Sequence, residues 1–395
     1  MHIAYLFDRP LPAKETDSEQ VMNTVAALAR RGVKISLILP QPKSGAPSGA
    51  SAATQLRDYY QVEGDFAVHL LPTWFDHWPT GRKWLHAKRS IAFAQTLNPD
   101  LLYTRNFPAL FQLARQRLPY AYETYRPWGD QFPVLRPPFR AALNQPHCLG
   151  AVLHSTFAKD RYQAWGVPSE RLAVVLNGYD PKNFAQPLSK SAARAALGLP
   201  AERPLVVYTG HINATKGLDI VMALAKLCPE VDFLLVGSEG KGVIELMARS
   251  HPNVKTVPWQ PFDRTAQYLY AADVLLLPPS RIPLRVIGNT VLPMKLFLYL
   301  AAGRPILGGR TPDTAEILHG DDDPANDGSV NAVRVPPGDA PAAAAALKSL
   351  LTDPDRQARL SQAALQTATG LTWDARAEKL EAFLRSRLSA GRPST

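Results

Sequence analysis

Residues 292–307 read LPMKLFLYLAAGRPIL, and this stretch decides the fold. Pro293 stands where a helix begins, Lys295 to Ala302 run without a breaker, and Gly303 ends the helix. Arg304-Pro305 then leads into an apolar Ile-Leu strand. A helix running straight into a buried strand is the unit from which parallel sheets are built. Outward from it, strand-like apolar runs alternate with helical patterns along the chain, so the expected class is α/β with two Rossmann-like domains. Strands are expected to begin near His2, Lys34, Phe66, Asp100, Tyr120, Gly150 and Leu172, and again near Leu205, Val231, Val254, Val274, Ile306 and Ala332. The first helix is expected over Asp17–Arg31, with Val21, Val25, Leu28 and Ala29 on its apolar face and Asp17 or Ser18 as its cap. Helices follow from Ala340 to Leu384, interrupted at Asp353-Pro354 and near Gly370.

The expected organisation is an N-terminal domain over 1–182, a linker over 183–203, a second domain over 204–370 and a C-terminal helix over 371–395 packing back towards the first domain. The linker rests on composition, being polar and proline-bearing without strand character. At 395 residues the chain suits two domains rather than one core. Cys148 and Cys228 are its two cysteines, with no ligand spacing around them, so neither a disulfide framework nor a metal is expected. Met1 leads directly into a strand-like run and no apolar stretch approaches a membrane span, so a cytoplasmic protein is expected.

The formal charge is +10, and residues 1–185 hold 21 Lys/Arg against 14 Asp/Glu. That basic half admits an anionic membrane surface at its inner face or a phosphorylated acceptor as partner. No Lys/Arg run or nucleic-acid motif supports nucleic acid as a partner. The segment TWFDHWPTGRKWLHAKR (73–89) mixes Trp74, Phe75, Trp78 and Trp84 with Arg82, Lys83, Lys88 and Arg89, a composition suited to lipid headgroups or a sugar phosphate, or else to core rings beside a solvated cationic face. The absence of G-x-G-x-x-G argues against a nicotinamide or flavin dehydrogenase.

VVYTGHINATKGLD (206–219) reads as a β-branched strand, a turn at Gly210 and a helix starting near Thr215 or Lys216. Amide groups at such a helix start, with the Lys216 ammonium, make an anion site suited to a diphosphate. LLVGSEG (234–240) is a second strand and turn, where Gly237 allows close backbone approach. Trp259, in the turn Pro258-Trp259-Gln260, is suited to stacking on a nucleobase or to half-buried packing.

Together these motifs resemble retaining GT-B glycosyltransferases of family four (glycosyl transferases group 1), and the resemblance covers nearly the whole chain. It implies two Rossmann-like domains facing across a cleft, with a nucleotide-sugar donor on the C-terminal side. Gly210, His211, Lys216, Gly237, Trp259, Gly288, Asn289, Thr290, Pro293 and Leu298 are the implied donor-side residues. Lys216, Asn289 and Thr290 are the implied catalytic ones. The family carries an acid-x7-acid pair where this chain has Thr290 and Leu298, and an Arg where it has His211. Glu316 is the nearest downstream acid on a plausible cleft-facing loop, or else a solvent-facing helix residue, the reading preferred here. In the first half Arg105, Glu123, Tyr125 and Arg126 stand at expected sheet edges as acceptor-side candidates, and the Asn177-Gly178 turn is expected to need positive φ.

The implied reaction is sugar transfer with retention to a hydroxyl of a glycan or lipid-linked acceptor. It would be metal-independent, and no cofactor is expected, the nucleotide sugar being a substrate. Two alternatives stay open: a non-catalytic GT-B binding or scaffold protein that has lost the acid pair, and a sugar-nucleotide epimerase, which would need acid/base pairs in the cleft.

Overall fold

The computed structural model describes residues 1–41, 49–73, 79–287, 292–312, 314–321 and 330–390. The chain divides into two compact units, Met1–Asn177 with Trp373–Thr395, and Gly178–Thr372.

The first unit holds a seven-stranded parallel sheet: β1 (His2–Leu6), β2 (Lys34–Pro40), β3 (Ala67–Leu71), β4 (Leu101–Thr104), β5 (Tyr120–Thr124), β6 (Cys148–Leu153) and β7 (Leu172–Val174), in the order 3-2-1-4-5-6-7. The second holds six parallel strands: β8 (Leu205–Thr209), β9 (Asp232–Ser238), β10 (Val254–Pro258), β11 (Val274–Leu276), β12 (Ile306–Gly309) and β13 (Val333–Val335), in the order 10-9-8-11-12-13. Register is set by near-continuous apolar runs, with Ile3 opposite both Ile35 and Leu101, and Val206 opposite both Phe233 and Val274. Each order reverses at the first strand of its sheet, between β1 and β4 and between β8 and β11. In such sheets the carboxyl ends of the strands at that reversal form the ligand crevice. Every strand expected from the sequence is present, within two residues of its expected start.

Several local expectations are corrected. The first helix spans Thr16–Arg30 with Glu15 at its N-cap, so Asp17 and Ser18 lie in its first turn rather than capping it. Asp17 instead pairs with Arg9, 3.3 Å away. The stretch taken for a linker over 183–203 is folded into the second unit. It carries a 3₁₀ turn at Pro181–Phe184 and a helix at Lys190–Leu197, capped by Ser189, whose Oγ accepts from the Ala192 amide at 3.1 Å. Arg194 on that helix is buried and donates to Asp273 at 2.6 Å, while Asp273 also accepts from the Leu205 amide that opens β8. Composition alone concealed this, because the helix is held by polar contacts to distant residues, with Lys190 and Arg194 both on Asp273 and Arg194 also donating to the Ala271 carbonyl, rather than by a broad apolar face. Neither Asn177 nor Gly178 takes a positive φ.

The helix read from the opening stretch is confirmed at Lys295–Ala302, ending on Gly303 with φ +60°. The C-terminal helices run Ala340–Leu351, Pro354–Ala368 and Trp373–Ala390, the last belonging to the first unit.

Arg194→Met should leave Asp273 without its buried partner and lower stability by about 3 kcal/mol or more. Urea unfolding followed by tryptophan fluorescence checks this, and a loss under about 1 kcal/mol would restore the linker reading.

Candidate functional site

In the second unit the site is built at the β8/β11 reversal. β8 ends at Thr209, and Gly210 turns the chain with φ +119° while its amide donates to Val236 at 2.9 Å. Gly237, also at φ +119°, lies against it: a methyl group there would sit 2.4 Å from the Gly210 carbonyl oxygen. Only glycine at 237 allows the ends of β8 and β9 to approach this closely. Asn213 caps a 3₁₀ turn, Ala214–Lys216, accepting from the Thr215 amide at 3.0 Å, and Gly217 follows at φ +73°. The α-helix proper begins at Asp219, so the expected start near Thr215 is corrected by one turn. Lys216 therefore stands on a turn before the helix. A side chain at Gly217 would clash with Ser280, whose Oγ donates to Asp219 at 3.1 Å, and this draws the loop after β11 against the turn.

Lys295 completes the arrangement. Its neighbour one helical turn on, Tyr299, is buried and accepts from the Thr209 amide at 2.9 Å, pinning the helix to the end of β8. The Lys295 ammonium lies 3.4 Å from the centroid of the Tyr208 ring and next to Gly210, where an added methyl would meet Nζ at 3.0 Å. Burial, then the charge of Lys216, push the Lys295 pKa well below its ordinary value, and burial lowers that of Lys216. Two ammonium groups thus converge on a glycine-lined loop, and no carboxylate pairs with either among the described residues. An arriving anion relieves both costs, the desolvation and the repulsion.

The other donor-side candidates scatter. His211 accepts at its carbonyl from Tyr208 Oη at 2.9 Å. Trp259 is 36 % exposed and its amide donates to Ser238, beside Gly237, at 3.1 Å. Pro293 accepts from the Leu296 amide, and Leu298 is half-buried on the helix. Glu316 ends a short 3₁₀ turn. Gly288, Asn289 and Thr290 lie outside the described residues.

In the first unit Glu123 has no exposed surface and is not an open sheet-edge group. Its Oε1 accepts from Gln20 and His154 Nε2, each at 2.6 Å, and from Arg376 Nη2 at 2.5 Å, while its Oε2 accepts from Tyr103 at 2.8 Å and Tyr5 at 3.4 Å. Burial alone would raise its pKa, but Arg376, the bond from His154 and nearby Arg105 hold it well below the carboxylate range. Arg105 binds Gln20, so it reaches Glu123 through a second side chain. Burial brings His154 down to about 4, leaving a neutral ring that donates through Nε2 while Asn177 donates to Nδ1 over 3.4 Å. Tyr125 is exposed, and Arg126 lies over the Trp128 ring at 3.5 Å.

Known proteins match both units. Residues 18–183 match glycosyltransferase family 4 and residues 203–353 match glycosyl transferases group 1. The chain belongs to the family 4, group 1 glycosyltransferases. A D-inositol 3-phosphate glycosyltransferase of Xylanimonas cellulosilytica is 29 % identical over 231 residues, 55 % of this chain and 52 % of that protein. Its Thermobispora bispora counterpart is 30 % identical over 242 residues, 57 % of this chain and 53 % of that protein. The chain thus spans about half the length of the curated relatives it matches. Among solved structures, sucrose-phosphate synthase from Thermosynechococcus elongatus superposes with a TM-score of 0.78 at 18 % identity, covering 98 % of this chain and 99 % of that one. Anabaena HepE in complex with UDP gives 0.72 at 17 %, covering 98 % and 100 %. Those likenesses show the GT-B fold.

For this family member, sequence reasoning missed Lys295, although it lies in the opening stretch. The available signal was a single cation in a helix whose remaining residues are apolar, since a half-buried ammonium on such a helix needs a reason. It also missed Gln20, His154 and Arg376, which no spacing connects to Glu123.

Gly237→Ala should force β8 and β9 apart and cost more than about 2 kcal/mol, read from thermal unfolding, and an unchanged melting temperature would refute the close approach. A second expectation concerns pH. His154 is neutral in the fold down to about 4, whereas the unfolded chain protonates it near 6.5, so stability falls as pH drops between those values. His154→Gln should remove up to ~3 kcal/mol of that decline at 1.36 kcal/mol per unit, and urea midpoints at neutral and acid pH check it.

Proposed function

We propose that the chain transfers a sugar from a nucleoside-diphosphate-sugar donor to an acceptor hydroxyl with retention of configuration and without a metal. The observation that carries this reading is the pair of lysines, Lys216 and Lys295, beside the Gly210–Gly237 approach, with no carboxylate on either among the described residues. That arrangement suits a diphosphate, whose charge rises as it leaves. The HepE complexes with UDP and with UDP-glucose support a nucleotide sugar as donor. In the proposed step the anomeric C–O bond to the diphosphate breaks, and the acceptor oxygen bonds to the same face. The acceptor proton passes to the departing phosphate oxygen. Cations thus do the electrostatic work that a metal does elsewhere, and no protein base is required.

The acceptor belongs on the first unit, whose sequence holds most of the excess positive charge. Among the described residues no helix is long and apolar enough to cross a membrane. A peripheral seat at an anionic membrane face is supported by Trp84, 40 % exposed, standing beside Lys83 and close to Lys88. A non-catalytic nucleotide-sugar-binding protein is the second reading, favoured by Leu298, which offers a ribose no carboxylate.

UDP- or GDP-sugars should raise the melting temperature and be slowly hydrolysed. Lys216→Ala and Lys295→Met should each abolish most of the shift. Because an anion restores the depressed Lys295 pKa, binding should take up protons and weaken as pH rises, which calorimetry in buffers of different ionisation enthalpy measures. No shift with any nucleotide sugar sinks the transferase reading, and a shift without turnover selects the binding protein.

A further inference from the structure

The stretch that follows β5 forms an exposed aromatic row at the carboxyl end of the first sheet, the side on which such sheets bind ligands. Tyr125 is 40 % and Phe132 45 % exposed, while Trp128 is half-buried and lies nearly parallel to Phe132, with ring centroids 6.4 Å apart at 17°. Arg126 lies within this row: its guanidinium carbon is 3.5 Å from the centroid of Trp128 and 5.4 Å from that of Tyr125. The end of β5 holds it there, because Thr124 Oγ1 accepts from the Arg126 amide at 3.4 Å and donates to the Arg126 carbonyl at 3.2 Å.

Arg126 determines what this surface can recognise. Among the described residues its guanidinium has no hydrogen-bond or ion-pair partner, and its Nε is buried. Burial lowers its pKa, so the charge stands there at a cost that the Trp128 ring offsets only in part. Asp130 is the one acid between Tyr125 and Phe139, and it is taken by Arg161 at 2.6 Å and Arg136 at 3.4 Å. Tyr122 Oη and Tyr162 Oη, within electrostatic reach of Arg126, are also buried without a partner, the Thr124 hydroxyl being used by the Arg126 backbone. Buried donors without an acceptor are costly, so the ligand is expected to supply one.

Charge and rings together select that ligand. Between Tyr125 and Phe139 the cations are Arg126 and Arg136, and Arg136 engages Asp130, which leaves Arg126 as the cation without an acid. One negative charge balances it, which favours a carboxylate over a phosphate dianion. A planar carboxylate also matches the guanidinium fork. The exposed ring of Tyr125 beside it suits the C–H face of a pyranose, whose partly positive hydrogens meet the negative face of the aromatic ring.

We propose that this surface binds an acidic sugar, with the carboxylate of a hexuronate on Arg126 and its pyranose face on Tyr125. The 5.4 Å between the guanidinium and the tyrosine ring is a span that the C5 carboxylate of such a sugar bridges. The same chemistry occurs in a free uronate and at the end of an acidic glycan chain. That the bound sugar is the acceptor rests on the transferase reading, but the binding itself does not.

The test is calorimetry on the full chain without any nucleotide sugar, using methyl glucuronide, methyl glucoside and acetate as probes. The glucuronide should bind at least ~tenfold more tightly than either fragment, as expected for a charge-assisted contact joined to ring stacking. Arg126→Gln should weaken it by about tenfold or more, and Arg126→Lys, which keeps the charge but not the fork, by less. Tyr125→Ala, at an exposed position, should weaken the glucuronide and leave acetate unchanged, so the ring contact is read even where an Arg126 variant loses the fold. A glucuronate-terminated disaccharide separates the sources: tighter binding than the monosaccharide assigns the glycan end, and equal binding assigns the free uronate. Equal affinity for glucuronide and glucoside, or glucuronide binding unchanged in Arg126→Gln and Tyr125→Ala, would overturn the proposal. So would Arg126-dependent binding to phosphatidylglycerol vesicles with no binding of the glucuronide. None of these outcomes depends on donor binding, so a failure here leaves the transferase reading standing.

Discussion

A carboxylate without solvent holds the first unit together. Glu123 collects donors from β1 and β4, from the first helix, from the end of β6 and from the C-terminal helix, and all converge on its two oxygens. Arg376 supplies the opposing charge and also donates to the carbonyls of Val175 and Leu176, at 2.6 and 3.0 Å. Such a pair is weak evidence for stability against an apolar alternative. Its geometry, however, permits one seat for the last helix. Residues 373–390 thereby belong to the first unit although the whole second unit intervenes in sequence.

At its candidate site the second unit uses the opposite electrostatics. Where Glu123 is saturated with partners, Lys216 and Lys295 are brought together with no acid paired to either among the described residues. Backbone shape makes this possible: Gly210 and Gly237 press two strand ends together, and the Tyr299 hydroxyl fixes the helix that carries Lys295. The depressed Lys295 pKa expresses what the fold withholds from that ammonium. Both units bury a charge pair, Glu123 with Arg376 and Asp273 with Arg194, and the second also places two lysines together.

Leu298, half-buried on the Lys295–Ala302 helix, brings no carboxylate to the loop beside Lys216 and Lys295. On the proposed transferase reading, anion binding and ribose recognition would therefore be separate tasks, with Trp259, 36 % exposed beside the β9 turn, as the aromatic group within that unit open to a base.

The sequence by itself determined the two parallel sheets, the helix at Lys295–Ala302 with its glycine stop, and the strand–turn–lysine motif ending at Lys216. Each is a local pattern, written in apolar runs, glycine positions and helical spacing, and readable within a dozen residues. Tertiary structure decided the rest. The folded segment around Arg194 reads as a linker because its anchor, Asp273, lies far along the chain. Glu123 reads as a surface acid because its partners, from Tyr5 to Arg376, come from both ends of the sequence. Lys295 reads as one more helix residue until Tyr208 and Lys216 are placed around it. Periodicity records which face of an element is buried, whereas the pairing of charges depends on which distant elements meet there.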